Sequence, residues 1–263
     1  MKIAFQMDPI EPIDIQTAAL EAILGFRDTE RVADMLIERW GMLSPDIRHQ
    51  AMDGMLSNRR WTTRILNAMA DGKLRLNDVD TSQVQWLRRH PDPELRALAE
   101  GLSSIESDRS KVVHAYRPSL SNAGNFDRGL KVFEKHCASC HQIGKLGFAV
   151  GPSLAAMKNR GAESILVNVL DPNREINPDF LSYIVETVDG QQIAGIVVSE
   201  TATTITMKLD QGKEIIVLRS DIETFESTGQ SLMPEGLEKE ITPDQMTDLL
   251  TFLLGPETNE APK

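Results

Sequence analysis

The sequence predicts a mainly α protein with a β insert in its second half. From residue 13 to residue 110, apolar side chains recur at spacings of three and four, the period of an amphipathic helix. A further helical stretch, NFDRGLKVFEKH, begins at residue 125. Residues 180 to 227 instead alternate apolar and polar in short runs rich in Val, Ile and Thr, which is the mark of strands.

The helical part reads as IDIQTAALEAIL, TERVADMLIERW, PDIRHQAMDGML, WTTRILNAMADG, VQWLRRH and PELRALAEGL, separated by Pro, Gly, Asp and Asn. An internal echo pairs Ile47 with Leu95, Arg48 with Arg96 and Ala51 with Ala99, and Ile15 and Ala19 fit the same frame. The intervals of 32 and 48 residues are irregular but near those of two-helix solenoid units. This part resembles HEAT-like repeats, with a plain helical bundle as the alternative. Trp40, Trp61 and Trp86 are expected in the core. His49 and His90 fall on or beside polar faces and His114 in a solvated linker, so none is expected to be a ligand.

Ser, Asn, Gly and Pro accumulate through SSIESDRSKVVHAYRPSLSNAGN, which places a boundary near residue 118 and divides the chain into domains 1–118 and 119–263. A chain of 263 residues, 41% of them hydrophobic, can fill two such cores. Residues 1–122 carry 16 basic and 18 acidic side chains and residues 123–263 carry 12 and 21, so the net charge of -11 splits into -2 and -9. An acidic second half disfavours a nucleic acid partner, which requires Lys and Arg to displace counterions. No run approaches the roughly 18 apolar residues of a membrane span, and MKIAFQMDPIEP lacks the apolar centre of a signal peptide.

The chemistry is concentrated in KHCASCHQ, which contains both cysteines of the chain. In Cys-x-x-Cys-His at the end of a helix, two thiols lie one turn apart, where they can add to the vinyl groups of a haem. The imidazole that follows can reach the iron from the same side. Cys137 and Cys140 would then be thioether anchors and His141 an axial ligand. A thioredoxin-type pair would need a strand before the motif, whereas a helix precedes it; half a zinc site would need further ligands, and no other cysteine exists.

From Gly124 onward the chain resembles the class I cytochromes c. The resemblance rests on Gly129 and Phe133 before the first cysteine, on GPSL after His141, and on SLMPEGLEKEITPDQMTDLLTFL near the end. It implies that Gly129 and Phe133 meet the last helix, that the Pro152 carbonyl accepts a hydrogen bond from His141, and that Leu154 packs on the haem face. Leu249, Phe252 and Leu253 would face the haem and Gly129. Thr242 would cap the last helix, with Pro243 at its first position. Met233, in a loop before a proline, is implied as the sixth ligand; Met157 and Met246 are its rivals. His136 is expected to be exposed.

Met233 lies 92 residues beyond His141, farther than compact members of that family need. The interval holds the β insert, with turns at DG (189–190) and DQG (210–212), expected to form four or five antiparallel strands closed into a small Sm-like barrel. HEAT-like helices, CxxCH, GPSL, ILVNVLDPNREINPDF, the insert and SLMPEGL together resemble the haem-binding C-terminal region of large membrane-bound-dehydrogenase-like proteins of planctomycetes and verrucomicrobia. The resemblance implies an extracytoplasmic, periplasmic-type electron carrier with one covalent haem c, either trimmed from a longer chain or a stand-alone relative. On that resemblance it would not be an enzyme by itself; it would take electrons from a fused or associated dehydrogenase and pass them to a cytochrome or oxidase. Two other readings stand beside it: a catalytic or ligand-sensing haem with a labile sixth ligand, and an interaction scaffold.

Overall fold

The computed structural model describes residues 7–27, 29–102 and 109–255. In chain order the helices α1 (Ile13–Leu24), α2 (Arg31–Glu38), α3 (Pro45–Leu56), α4 (Arg59–Ala70), α5 (Thr81–Arg88), α6 (Pro93–Leu102), α7 (Ser110–Tyr116) and α8 (Phe126–His136) come first. A two-stranded hairpin, β1 (Gln142–Ile143) and β2 (Leu146–Gly147), precedes α9 (Leu154–Met157) and α10 (Gly161–Leu170). Five strands follow: β3 (Leu181–Thr187), β4 (Gln192–Glu200), β5 (Thr204–Lys208), β6 (Glu214–Leu218) and β7 (Ile222–Ser231). The described chain closes with α11 (Pro243–Leu254). Side-chain oxygens start several helices, because the first N–H groups of a helix lack intrahelical partners. Asn58 accepts from Arg60 and Trp61, Asp80 from Gln83, Asn125 from Arg128, and Thr242 from Gln245.

The chain forms two compact units that interleave in sequence. The first comprises Met1–Ile105, Asn177–Met207 and Ile215–Gln230; the second comprises Glu106–Ile176, Lys208–Glu214 and Ser231–Lys263. The expected division at residue 118 is therefore replaced by a discontinuous one. The stretch read as a solvated linker contains α7, whose Val113 and Tyr116, three residues apart, are buried in the second unit; residues 103–108 of that stretch lie outside the described residues. His114 on α7 is exposed.

In the first unit α1 packs on α3, α2 on α4, and α6 on α4 and α5. Leu20, Leu36, Ile47, Met55, Ile65 and Leu66 fill the core between them. Trp40 and Trp61 are buried, and the Trp61 indole donates to the Thr29 carbonyl at 2.9 Å. Trp86 is not core: it is 43% exposed and meets His90 edge-on, ring centroids 4.6 Å apart.

The five strands form an open sheet in the order β6-β5-β4-β3-β7. The turn at Gly190, with φ of +83°, joins β3 to β4 in a register that pairs Ser182 with Ile196 and Glu186 with Gln192. The expected closed barrel does not form. Closure would require β6 to pair with β7, but these stand at opposite edges, and the turn between them sends Arg219 inward. Arg219 is buried against Glu200 at 2.8 Å, both side chains 2% exposed, and also donates to the Pro9 and Thr201 carbonyls. Arg48 of α3 joins helices to sheet. Its guanidinium lies 5.5 Å from the Trp40 ring and 5.4 Å from the Tyr183 ring, donates to the Leu43 carbonyl at 3.1 Å and pairs with Asp78 at 3.4 Å.

The second unit is organised by α8 against α11. A Cβ at Gly129 would lie 2.0 Å from the Asp248 carbonyl oxygen and 2.7 Å from Phe252 Cβ, so only glycine permits this approach. Phe252 in turn contacts Phe133 and Phe126, with centroids 5.3 and 5.1 Å apart. Arg128 grips Asp248 with two bonds of 2.6 and 2.9 Å, and the Asn125 N–H adds a third at 2.6 Å.

Candidate functional site

The site is built at the end of α8. Cys137 caps that helix by donating its N–H to the Phe133 carbonyl at 2.8 Å. The chain then turns tightly: the Cys140 and His141 N–H groups both return to the Cys137 carbonyl, at 3.1 and 2.9 Å. Both thiols are free, Cys137 buried and Cys140 half-buried. Burial, with Cys140 nearby, pushes the Cys137 thiol up to about 12. It is thus held as a neutral thiol.

His141 is buried, and its Nδ1 donates to the Pro152 carbonyl at 3.0 Å. That bond puts the proton on Nδ1 and leaves the Nε2 lone pair for a metal. Burial keeps the ring neutral by lowering its pKa, against the opposing pull of the Pro152 carbonyl. Gly151 is required here: a Cβ would stand 2.6 Å from His141 Cε1. Residues 142–151 fold back beneath the cysteines through backbone bonds from Phe148 to Ala138 at 3.0 Å, Val150 to Cys140 at 3.0 Å and Gly151 to Cys140 at 2.7 Å. The β5–β6 tip covers the motif as well. The Gln211 N–H donates to the Ser139 carbonyl at 2.7 Å, with Gln211 itself at φ of 54°, and Phe148 packs beside Gly212.

Phe133, Cys137, Leu249, Phe252 and Leu253 share one buried cluster, and Leu154, Met157 and Met233 pack half-buried against it. Gly129 is buried at the helix crossing. Met246, one rival for the sixth ligand, is fully buried inside α11. Met233 lies in the loop between β7 and α11, and its N–H donates to Ser231 Oγ at 3.1 Å. The Tyr116 hydroxyl ties down the end of that loop by donating to the carbonyls of Glu238 at 3.0 Å and Ile241 at 2.7 Å, while Arg109 pairs with the Glu238 carboxylate and donates to the Leu170 carbonyl.

His136 departs from its expected exposure. Its side chain is only 7% exposed, 3.7 Å from Glu240, because the last turn of α8 is covered on that side. Burial, and then Lys135, lower its pKa. Gly151, Tyr116 and Arg109 are site residues that pattern reading missed. Gly151 was visible in GPSL; the other two belong to the stretch read as linker.

The donor set fits a haem: two thiols on one turn, a neutral imidazole with Nε2 free, an apolar wall, and methionines packed on that wall. Among the described residues no cluster of three or more His, Cys, Asp or Glu side chains could hold a bare metal ion, so the zinc reading gains no further ligands there. Among the described residues no helix is long and apolar enough to cross a membrane. Residues 126–255, from the start of α8 to just past α11, match the family model described as Cytochrome c, just under half of the chain. No curated protein matches the sequence. The match makes this stretch similar to the cytochromes c, whose cofactor is covalently bound haem c, typically one per domain.

Proposed function

We propose that the protein carries single electrons through one haem c attached at Cys137 and Cys140, with His141 and Met233 as axial ligands. The bound haem supplies an iron that alternates between ferric and ferrous, so that one electron enters and leaves at a time. The observation that carries the reading is the His141 Nδ1 bond to the Pro152 carbonyl beside Gly151, which aims a neutral imidazole from directly after the two thiols.

The remaining chemistry belongs to the chain. Phe133, Leu154, Leu249 and Phe252 exclude water, so little solvent has to reorganise when the charge of the site changes. Gly129 brings α8 and α11 together and keeps that wall closed. A thioether from Met233 favours ferrous iron over what a second imidazole would give, and so raises the potential. The domain works as a transfer module and not as an enzyme alone. It receives electrons from a fused or associated dehydrogenase and passes them, outside the cytoplasm, to a cytochrome or oxidase whose basic surface complements the acidic second half of this chain. The paired packing of α1 to α6 and the LDPNREINP segment support the likeness to the haem-binding region of large dehydrogenase-like proteins with HEAT-like helices.

The test is the absorption spectrum, oxidised and reduced, of haem-loaded wild type and Met233→Ala. Wild type should be low-spin with the weak sulfur-to-iron band when oxidised. The variant should lose that band and bind carbon monoxide when reduced. A high-spin wild type, or a variant with the band intact, sinks the assignment of Met233.

A further inference from the structure

Asn173 stands on the turn that follows α10. Pro172 occupies the second position of that turn and Asn173 the third, and the Arg174 N–H closes it on the Asp171 carbonyl at 3.1 Å. From there one carboxamide makes two bonds to a single distant loop. Its Oδ1 accepts the Ser231 N–H at 2.9 Å, and its Nδ2 donates to Glu235 Oε1 at 2.5 Å. The orientation of the amide is set by its partners, because the reverse would place NH2 against an N–H and a carbonyl oxygen against a carboxylate.

The two contacts fall symmetrically about Met233, two residues before it and two after. Ser231 extends the link, since its Oγ accepts the Met233 N–H at 3.1 Å. A chain of hydrogen bonds therefore runs from the turn after α10 through Ser231 to the backbone of Met233, and a second anchor holds Glu235. Between these anchors Pro234 restricts the backbone, and Gly236, at φ of 93°, turns it toward the short 3-10 turn at Leu237–Lys239.

We infer that Asn173 is the positioning residue for the Met233 thioether: it brackets the loop at Ser231 and Glu235 and holds Met233 against the apolar cluster. The inference rests on the reading of Met233 as the sixth ligand. A loop fixed at both ends has less freedom to lose when sulfur meets iron, so the bracket sets how readily an external ligand displaces Met233.

Imidazole titration of the ferric, haem-loaded protein reads this displacement. Asn173→Ala should bind imidazole about tenfold more tightly than wild type, the order expected from losing a hydrogen bond to a charged group. Asn173→Asp keeps the acceptor for Ser231 but faces Glu235 with like charge, and should bind imidazole at least as tightly as Asn173→Ala. Adding Glu235→Gln to Asn173→Asp restores a donor–acceptor pair with the roles reversed, and should return imidazole affinity toward wild type. A merely structural role predicts no such rescue. If Met233→Ala abolishes the sulfur-to-iron band while Asn173→Ala leaves imidazole affinity unchanged, the bracket is refuted and the ligand stands. If Met233→Ala keeps the band, the ligand reading and the bracket fall together. Should Asn173→Ala not fold or load haem, the double variant decides, and failure of its affinity to return toward wild type overturns the inference.

Discussion

The His141 and Met233 sides of the site are held in different ways. His141 is fixed by residues 137 to 152, where backbone N–H groups of Phe148, Val150 and Gly151 return to Ala138 and Cys140 and the Pro152 carbonyl receives the ring proton. Met233 is held by side chains remote in sequence: Asn173 at Ser231 and Glu235, Tyr116 at Glu238 and Ile241, and Arg109 at Glu238. A site edge built from local backbone bonds survives most single substitutions around it. An edge built from distant side chains can be loosened one bond at a time, so the Met233 side is the one that substitutions can adjust.

The comparison breaks most completely at the cysteines. Cys137→Ser with Cys140→Ser should leave no haem on the chain after denaturing electrophoresis, whatever the state of the Met233 loop; haem that persists would mean attachment elsewhere. Gly151→Ala comes next, because its methyl would enter the His141 ring. Overpacking of this kind costs about 1–3 kcal/mol, and it should appear as a shifted spectrum as well as a lower denaturant midpoint. A normal spectrum would show that the ring is less confined than its 2.6 Å clearance implies.

An acid titration tests the helix crossing that underlies both sides. Hydrogen bonds from Arg128 and then from the Asn125 N–H hold the buried Asp248 carboxyl below its usual range, against the opposing effect of burial. Because the folded value is depressed, its stabilisation is complete above the ordinary carboxylate value of about 4 and is lost as pH falls from there through the folded value. Asp248→Asn should flatten that part of the stability profile, and an unchanged acid limb would assign the loss to other carboxylates. The smallest effect expected is that of Tyr116→Phe, which removes the hydroxyl from two loop carbonyls for about 1 kcal/mol. It should ease displacement of Met233 slightly and leave the His141 side untouched, as read by imidazole titration and by haem retention.

Legibility followed the same division. Cys137, Cys140, His141 and the GPSL run could be found because local chemistry dictates close spacing, and Thr242 with Pro243 announced the start of α11. Asn173 sat in the conspicuous LDPN run, yet nothing in its neighbours says that its partners lie about 60 residues on. The strands were readable from their alternation. Their open order was not, because a period of two places side chains on faces and says nothing of which edges pair. SKVVHAY looked like linker because seven residues give helical periodicity little room, although Val113 and Tyr116 already marked a buried face. Trp86 shows the converse, a large apolar side chain that tertiary packing leaves at the surface.

The interleaving of the two units bears on how the protein is made. The chain passes from one unit to the other at five points, after Ile105, Ile176, Met207, Glu214 and Gln230. Synthesis runs from the N-terminus, and α8 precedes α11, its partner through Asn125 and Asp248, by more than a hundred residues. Contacts of such long range form late. Cys137 and Cys140 therefore leave the ribosome well before the wall that buries Cys137 can close, and both thiols stay open to solvent during that interval.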